Sequence, residues 1–299
     1  MRVVHCHNIA GVGSTLVDYQ NRLGVDASVI VRRRHPFGFE EKQSSRLEGL
    51  LAIGRADVVH YHWTSWVERL PVLGVRNPDA RLISSLGKPI IAHFHGDDLR
   101  KNLARIEFKP DHTFVSTPDL LAYAPDAEWL PNPIDCETFT PAESEAPSPL
   151  RIGYYDPPGG GVYVPTEMIT RAIAELQKSG WKVEAAPATN LPRNRMPEYY
   201  HSLTVWVDKL DGGFYGIMAC EAAASGLPVI ASTTKISQYI GERVFHEFSV
   251  NLVEDLKCLL GDPEERAKVA ERGRVYVQNR HNAAVVAERT VQVYRSIRD

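Results

Sequence analysis

Residues Asp211–Ser232 read DGGFYGIMACEAAASGLPVIAS, and this stretch decides how the rest of the chain is read. Three glycines, Gly212, Gly213 and Gly216, precede a run of small residues with one carboxylate, Glu221, and an apolar segment follows. Glycines ahead of a helix let the backbone approach a ligand closely, while the first unpaired N–H groups and the positive end of the helix dipole point outward. Such a terminus favours phosphate. The spacing predicts a helix over Ile217–Ala224 whose alanines allow close packing on a sheet. SGLPVIAS then supplies a C-cap glycine, a proline stop and a buried parallel strand. A tightly packed α/β unit whose glycines serve only turns accounts for the same spacing.

Outward from this stretch, the same alternation recurs. RVVHCH, DASVIVRR, ADVVHYH, KPIIAHFH, HTFVS and AEWLP read as strands in the first half, and LRIGYY, KVEAA, LTVWVD, LPVIAS and RVFHEF in the second. Helical periods lie between them, as at 14–23, 40–53 and 165–178, and the tail from Pro263 reads as two helices broken near NRHNA. Strands alternating with helices imply parallel sheets covered on both faces. The expected organisation is a first Rossmann-like domain over 1–140, a Pro/Ser/Glu-rich linker over 141–149, a second Rossmann-like domain over 150–280, and a C-terminal helix over 281–299 packing back toward the first domain. Ligands bind at the carboxyl ends of parallel strands, so the cleft between the halves is the expected site.

Composition removes several classes. The 299 residues carry a net charge of -3, which offers no general attraction to nucleic acid or anionic lipid. No window approaches a membrane span, and the N-terminal apolar run is too short for a signal sequence. Cys6, Cys136, Cys220 and Cys258 are scattered without a CxxC pair, so four free thiols in a reducing compartment are expected. The expected location is cytoplasmic, with peripheral attachment to a membrane left open.

Other motifs are weaker alone. HNIAGVGS places Gly11 and Gly13 between a strand and a helix, but lacks the third glycine and the later acidic residue of a dinucleotide site. ADVVHYHW and IIAHFHGDD each end a strand with two histidines on one face, His60 with His62 and His93 with His95. The pattern suits zinc ligation or satisfied buried histidines, and the apolar context favours the latter. His95, followed by Gly96 and Asp97 at a strand's carboxyl end, is expected to face the cleft. RRRH at 32–35 suits an acidic partner or, as three charges after a strand more often are, a solvated loop.

Together these blocks resemble the retaining glycosyltransferases of the GT-B fold, in particular the family-4 group that uses nucleotide-sugar donors. FYGIMACEAAASGLPVIAS is similar to that family's FGLVLLEAMACGTPVIAS, and LPNPIDCETFTP to its PNGVD followed by F and P; the Gly11–Gly13 loop, ADVVHYHW and KPIIAHFHGDD add to the likeness. The resemblance implies an α/β GT-B fold of two Rossmann-like domains facing across a cleft and a nucleoside diphosphate sugar as substrate. No separate cofactor, no bound metal and an acceptor of unstated kind (glycan, lipid or small molecule) go with it. It places Gly13, Gly216, Ile217, Met218 and Glu221 at the donor, with Glu221 on the ribose, His95 beside the transferred sugar, and Gly11 and Asp97 on the acceptor side. The family's first glutamate falls where this chain has Gly213, so Asp211 is the expected substitute. The usual basic residue is missing from 156–168, which leaves Lys209, Arg193 and Arg195 as candidates to meet the diphosphate. A sugar-nucleotide epimerase using Asp97, Asp208, Asp211 or Glu221, and a non-catalytic sugar-nucleotide-binding subunit, are the alternatives.

Overall fold

The computed structural model describes residues 1–33, 38–39, 43–71, 74–101, 108–142, 147–156 and 165–298. The chain divides into two compact units, Met1–Pro133 with Ala283–Asp299, and Ile134–Asn282. The division falls at Pro133 rather than at 140. Ile134 and Phe139 belong to the second core, and Ile134 forms a bridge with Asn282. Part of the expected linker, 143–146, lies outside the described residues.

The first unit contains β1 (Arg2–Cys6), α1 (Val12–Arg22), β2 (Asp26–Ile30), α2 (Arg46–Arg55), β3 (Val58–His62), the short antiparallel pair β4 (Arg69–Leu70) and β5 (Val75–Arg76), α3 (Pro78–Ser85), β6 (Ile90–Phe94), α4 (Asp97–Arg100), β7 (His112–Val115) and β8 (Glu128–Trp129). Its main sheet is wholly parallel in the order β2-β1-β3-β6-β7-β8. Alternation along the strands divides its chemistry between two faces. Val4, Cys6, Val59 and Tyr61 join Ile53, Trp66 and Ile83 in an apolar core, while His5, His60 and His62 face the other way. Parallel register sets His5 beside His60 and His62 beside His93.

The second unit continues with β9 (Leu150–Tyr155), α5 (Thr166–Lys178), β10 (Val183–Ala188), α6 (Met196–His201), β11 (Val205–Val207), α7 (Ile217–Ala224), β12 (Val229–Ala231), α8 (Thr234–Ile240), β13 (His246–Glu247), α9 (Leu252–Gly261) and α10 (Pro263–Arg280). Its sheet, order β10-β9-β11-β12-β13, is also wholly parallel. Ile152, Val205, Val207 and Ile230 pack with α5 and α9, while Trp206, Val229 and Ala231 pack with α7 and α10. The helix α7 is buried almost all round, which its alanines permit: Ala223 lies against Gly273 of α10, where even a Cβ would stand 3.4 Å away.

The last helix, α11 (Ala283–Ser296), rejoins the first unit and packs on α1. The sheets and most helices match the expected alternation. The alternation gives no bounds for α3, α4, α6 and α8, and α9 and the β4–β5 pair lie outside the expected elements. The expected helix at 40–53 begins only at Arg46, where Ser45 and Glu48 form a capping box, and 40–42 lie outside the described residues. All four cysteines are free. Among the described residues no helix is long and apolar enough to cross a membrane.

Candidate functional site

In the second unit, neighbouring strands depart in opposite directions from the β9–β11 pair, and ligands of doubly wound sheets bind at that reversal, beyond the strands' carboxyl ends. The loop after β11 is residues 208–216, leading directly into α7. Asp208, buried at the strand end, accepts the Gly216 N–H through Oδ2 at 2.7 Å and ties the loop to the sheet. Gly216 is the N-cap of α7. No side chain caps the Ile217 and Met218 amides and the first turn holds no acidic residue, while the Asp208 carboxylate on the Gly216 N–H offsets part of the positive terminus. The Lys209 ammonium lies 4.7 Å from the centre of the Phe214 ring, and its Cε would stand 3.5 Å from a Cβ on Gly216. Lys209 and Asp208 therefore both adjoin the N-terminus of α7.

Glu221, one turn further along α7, is buried at 3% exposure. Its Oε1 is paired with the Arg193 guanidinium, and its Oε2 accepts from the Tyr200 hydroxyl at 3.1 Å. Arg193 also lies over the Phe139 ring at 5.3 Å. Each carboxylate oxygen has a second lone pair, so both retain acceptor capacity. Of the three candidate cations, Arg193 is set on the Glu221 carboxylate and Arg195 is paired on the surface with Glu198.

Asp211 is exposed, and its Oδ1 accepts the Gly212 N–H at 2.6 Å. Gly212 and Gly213 have φ of 88° and 76°, a left-handed pair that suits glycine. A Cβ at Gly213 would lie 2.7 Å from Lys235 Cγ. A glutamate there would take a strained left-handed backbone and require the Lys235 side chain to shift. Residues 157–164, in the stretch noted for lacking a basic side chain, lie outside the described residues.

In the first unit, Gly11 and Gly13 follow β1, which adjoins β3 at that sheet's own reversal. Packing accounts for both glycines. Gly11 has φ of 80° and lies under the Phe39 ring, and a Cβ on Gly13 would stand 2.9 Å from the His7 carbonyl. Asp97 opens α4 and pairs with Lys101 at 2.6 Å. Asp98 receives the amides of His95, Gly96 and Leu99 at 2.7 to 2.9 Å and so shapes the turn after β6. Of the RRRH loop, Arg32 donates to the Trp66 carbonyl and stacks on its ring rather than being solvated, while 34 and 35 lie outside the described residues.

His95 carries a network that its place at a strand end did not announce. His62 Nδ1 lies 2.9 Å from His95 Nε2, and the Ser116 hydroxyl 2.8 Å from His95 Nδ1. His5, His60, His62 and His93 are fully buried. Burial lowers His5 to about 4, and lowers His95 to about 4 against the opposing pull of Asp98. Burial, reinforced by the neighbouring imidazoles, holds His60, His62 and His93 well below the usual histidine range. Nitrogens of His5, His60 and His62, and of His62, His93 and His95, lie within 4.8 Å of one another, close enough for either set to ligate a metal ion.

A family model described as "Glycosyl transferase-like" matches residues 169–292, which include the 208–216 loop and α7. No curated protein matches the chain in sequence. Among solved structures, sucrose-phosphate synthase from Thermosynechococcus elongatus is 15% identical over 99% of each chain, with a TM-score of 0.61. An alpha-glucosyltransferase determined with UDP and a DNA 13-mer is 9% identical over 98% of this chain and 99% of its own, at 0.66. The lipopolysaccharide glycosyltransferase WaaG is 12% identical over 98% and 99%, at 0.54. The fold is thus the GT-B fold of glycosyltransferases.

Proposed function

We propose that this chain transfers a sugar from a nucleoside diphosphate donor to an acceptor hydroxyl, with retention and without a metal, in the cytoplasm. The observation that carries this reading is the uncapped N-terminus of α7 beside Lys209, with a buried carboxylate, Glu221, one turn along the same helix. Ile217 and Met218 amides would bind the diphosphate, and Lys209 would offset the charge that develops as the sugar–phosphate bond breaks. Glu221, held by Arg193 and Tyr200, would accept from the ribose hydroxyls through its remaining lone pairs. Asp211 would reach the hydroxyls of the donor sugar. His95 would stand beside that sugar, and Gly13, Gly11 and Asp97 would line the donor and acceptor edges of the first unit's site. With retention, the acceptor enters on the face from which the phosphate leaves, and a phosphate oxygen takes its proton.

One observation favours a second reading, a sugar-nucleotide-binding subunit without activity. The left-handed backbone at Gly213 and the closeness of Lys235 disfavour the family's first carboxylate there. A thermal-shift screen of nucleotide sugars, followed by release of nucleoside diphosphate with and without acceptors, separates the two. Stabilisation together with turnover supports transfer. Stabilisation without turnover supports the binding subunit, and no stabilisation by any nucleotide sugar defeats both. Glu221→Gln should weaken donor binding about tenfold or more, the loss expected for one charged hydrogen bond. Unchanged affinity in calorimetry would remove Glu221 from the ribose.

A further inference from the structure

Eight hydrogen bonds in the first unit close on themselves. They run from Gln20 of α1 through His5, His62, His95, Ser116, His93, His60 and Tyr294 of α11 back to Gln20, at 2.6 to 3.3 Å. Each of the ten imidazole nitrogens in this ring faces one ring partner. An imidazole tautomer follows from what its other nitrogen meets, so one fixed group sets the whole ring.

That group is Gln20. Thr290 Oγ1 donates to the Ala287 carbonyl at 2.7 Å, so it accepts from Gln20 Nε2 at 2.8 Å. The amide is thereby oriented, with its other N–H toward the Tyr294 hydroxyl and its carbonyl facing His5 Nε2 at 2.9 Å. His5 must then carry its proton on Nε2 and accept from His62 Nε2–H. By the same step His62 Nδ1 accepts from His95 Nε2–H, and His95 Nδ1 accepts from Ser116. On the other arm Tyr294 donates to His60 Nδ1, His60 Nε2–H to His93 Nδ1, and His93 Nε2–H to Ser116, where the arms meet. Within the ring every donor faces an acceptor; Asn132, outside it, makes a further side-chain hydrogen bond with His95.

We propose that Gln20, oriented by Thr290, is a positioning residue for His95: through the ring it holds His95 neutral as the Nε2–H tautomer, with its lone pair on Nδ1. Four positions in β1, β3 and β6, one residue past β6, one past β7, and one residue each in α1 and α11 act as a single unit. A metal on either histidine trio would have to break bonds of the ring, because its ligands are the lone pairs the ring already uses. The full burial of His5, His60, His62 and His93 and the partial burial of His95 fit the neutral state. The tautomer does not depend on the glycosyl-transfer reading; only its bearing on a sugar beside His95 does.

The test uses the full-length protein labelled with 15N histidine, read by long-range 1H–15N correlation near neutral pH. Five slowly exchanging histidines in the neutral Nε2–H pattern are expected, together with no stoichiometric metal on the purified chain by elemental analysis. Thr290→Val removes the clamp on Gln20. If its amide turns over, donors and acceptors exchange around the ring, so the two His95 nitrogen shifts should move toward each other. An Nδ1–H or doubly protonated His95 in the wild type overturns the proposal, and so does stoichiometric zinc bound through these rings. A folded Thr290→Val protein whose His95 spectrum is unchanged overturns the role of Thr290 and Gln20.

Discussion

Acidification should unfold the first unit far more steeply than carboxylate titration alone would. His5, His60, His62, His93 and His95 all titrate below the ordinary value of 6.5, with burial the leading cause, and His5 and His95 fall to about 4. The folded-state values lie below the unfolded one. Their stabilising contribution is therefore full above pH 6.5 and drains as the pH falls toward 4. Between pH 7 and pH 5 an unfolded histidine gains about 2 kcal/mol by binding a proton that its buried counterpart does not take up. Five such residues amount to about 10 kcal/mol, as large as the whole stability of a typical domain, usually about 5 to 15 kcal/mol. The closed ring sharpens this. A proton added to His5, His62 or His93 sets N–H against N–H, and one added to His60 or His95 sets N–H against the Tyr294 or Ser116 hydroxyl, so the ring is broken in either case. The assay is urea unfolding at intervals of pH between 7 and 4.5. Hydrogen exchange of peptides from β1 and β3 reports on this unit, because a chain of two units need not unfold as one. A midpoint that falls steeply below pH 6.5, with proton uptake approaching five per molecule, is expected. Stability that stays flat from pH 7 to pH 5, or uptake of one proton or fewer, would refute the reasoning.

Three further outcomes are expected. Arg193→Met should destabilise the second unit by about 2 to 3 kcal/mol in urea unfolding. It strands the Glu221 carboxylate at 4% side-chain exposure, and the partial exposure of Arg193 keeps the loss at or below the low end for buried pairs; a change below about 0.5 kcal/mol would mean that the pair is solvated. Gly49→Ala should destabilise the first unit by about 1 to 3 kcal/mol, since its Cβ would fall within the fully buried Trp66 ring, and a variant as stable as wild type would show that this ring can move. Asp211→Asn, at an exposed position, should leave the melting temperature within about a degree or two of wild type while weakening a nucleotide sugar about tenfold more than the bare nucleoside diphosphate; equal losses for both ligands would separate Asp211 from the sugar.

The sequence by itself determined the parallel sheets, the order of most elements and the helix at Ile217–Ala224, because hydrophobic period, glycine, proline and capping residues act within a few positions of one another. It also placed Glu221, Lys209 and Asp211 beside one sheet edge, since a parallel strand and the helix after it are joined by a short loop. Local rules could not show that Arg193 pairs with Glu221, 28 positions away, or that Lys235 closes over Gly213. The same limit hides the histidine ring. Alternation put His60 with His62 and His93 with His95 on common faces, yet the direction of every proton depends on Gln20, Thr290 and Tyr294, and the bond from Gln20 to Tyr294 spans 274 positions. Only the packing of α11 on α1 brings those groups over the same face of the sheet. Hydrogen-bond direction is a property of the closed set of partners, and that set exists only once the chain has folded.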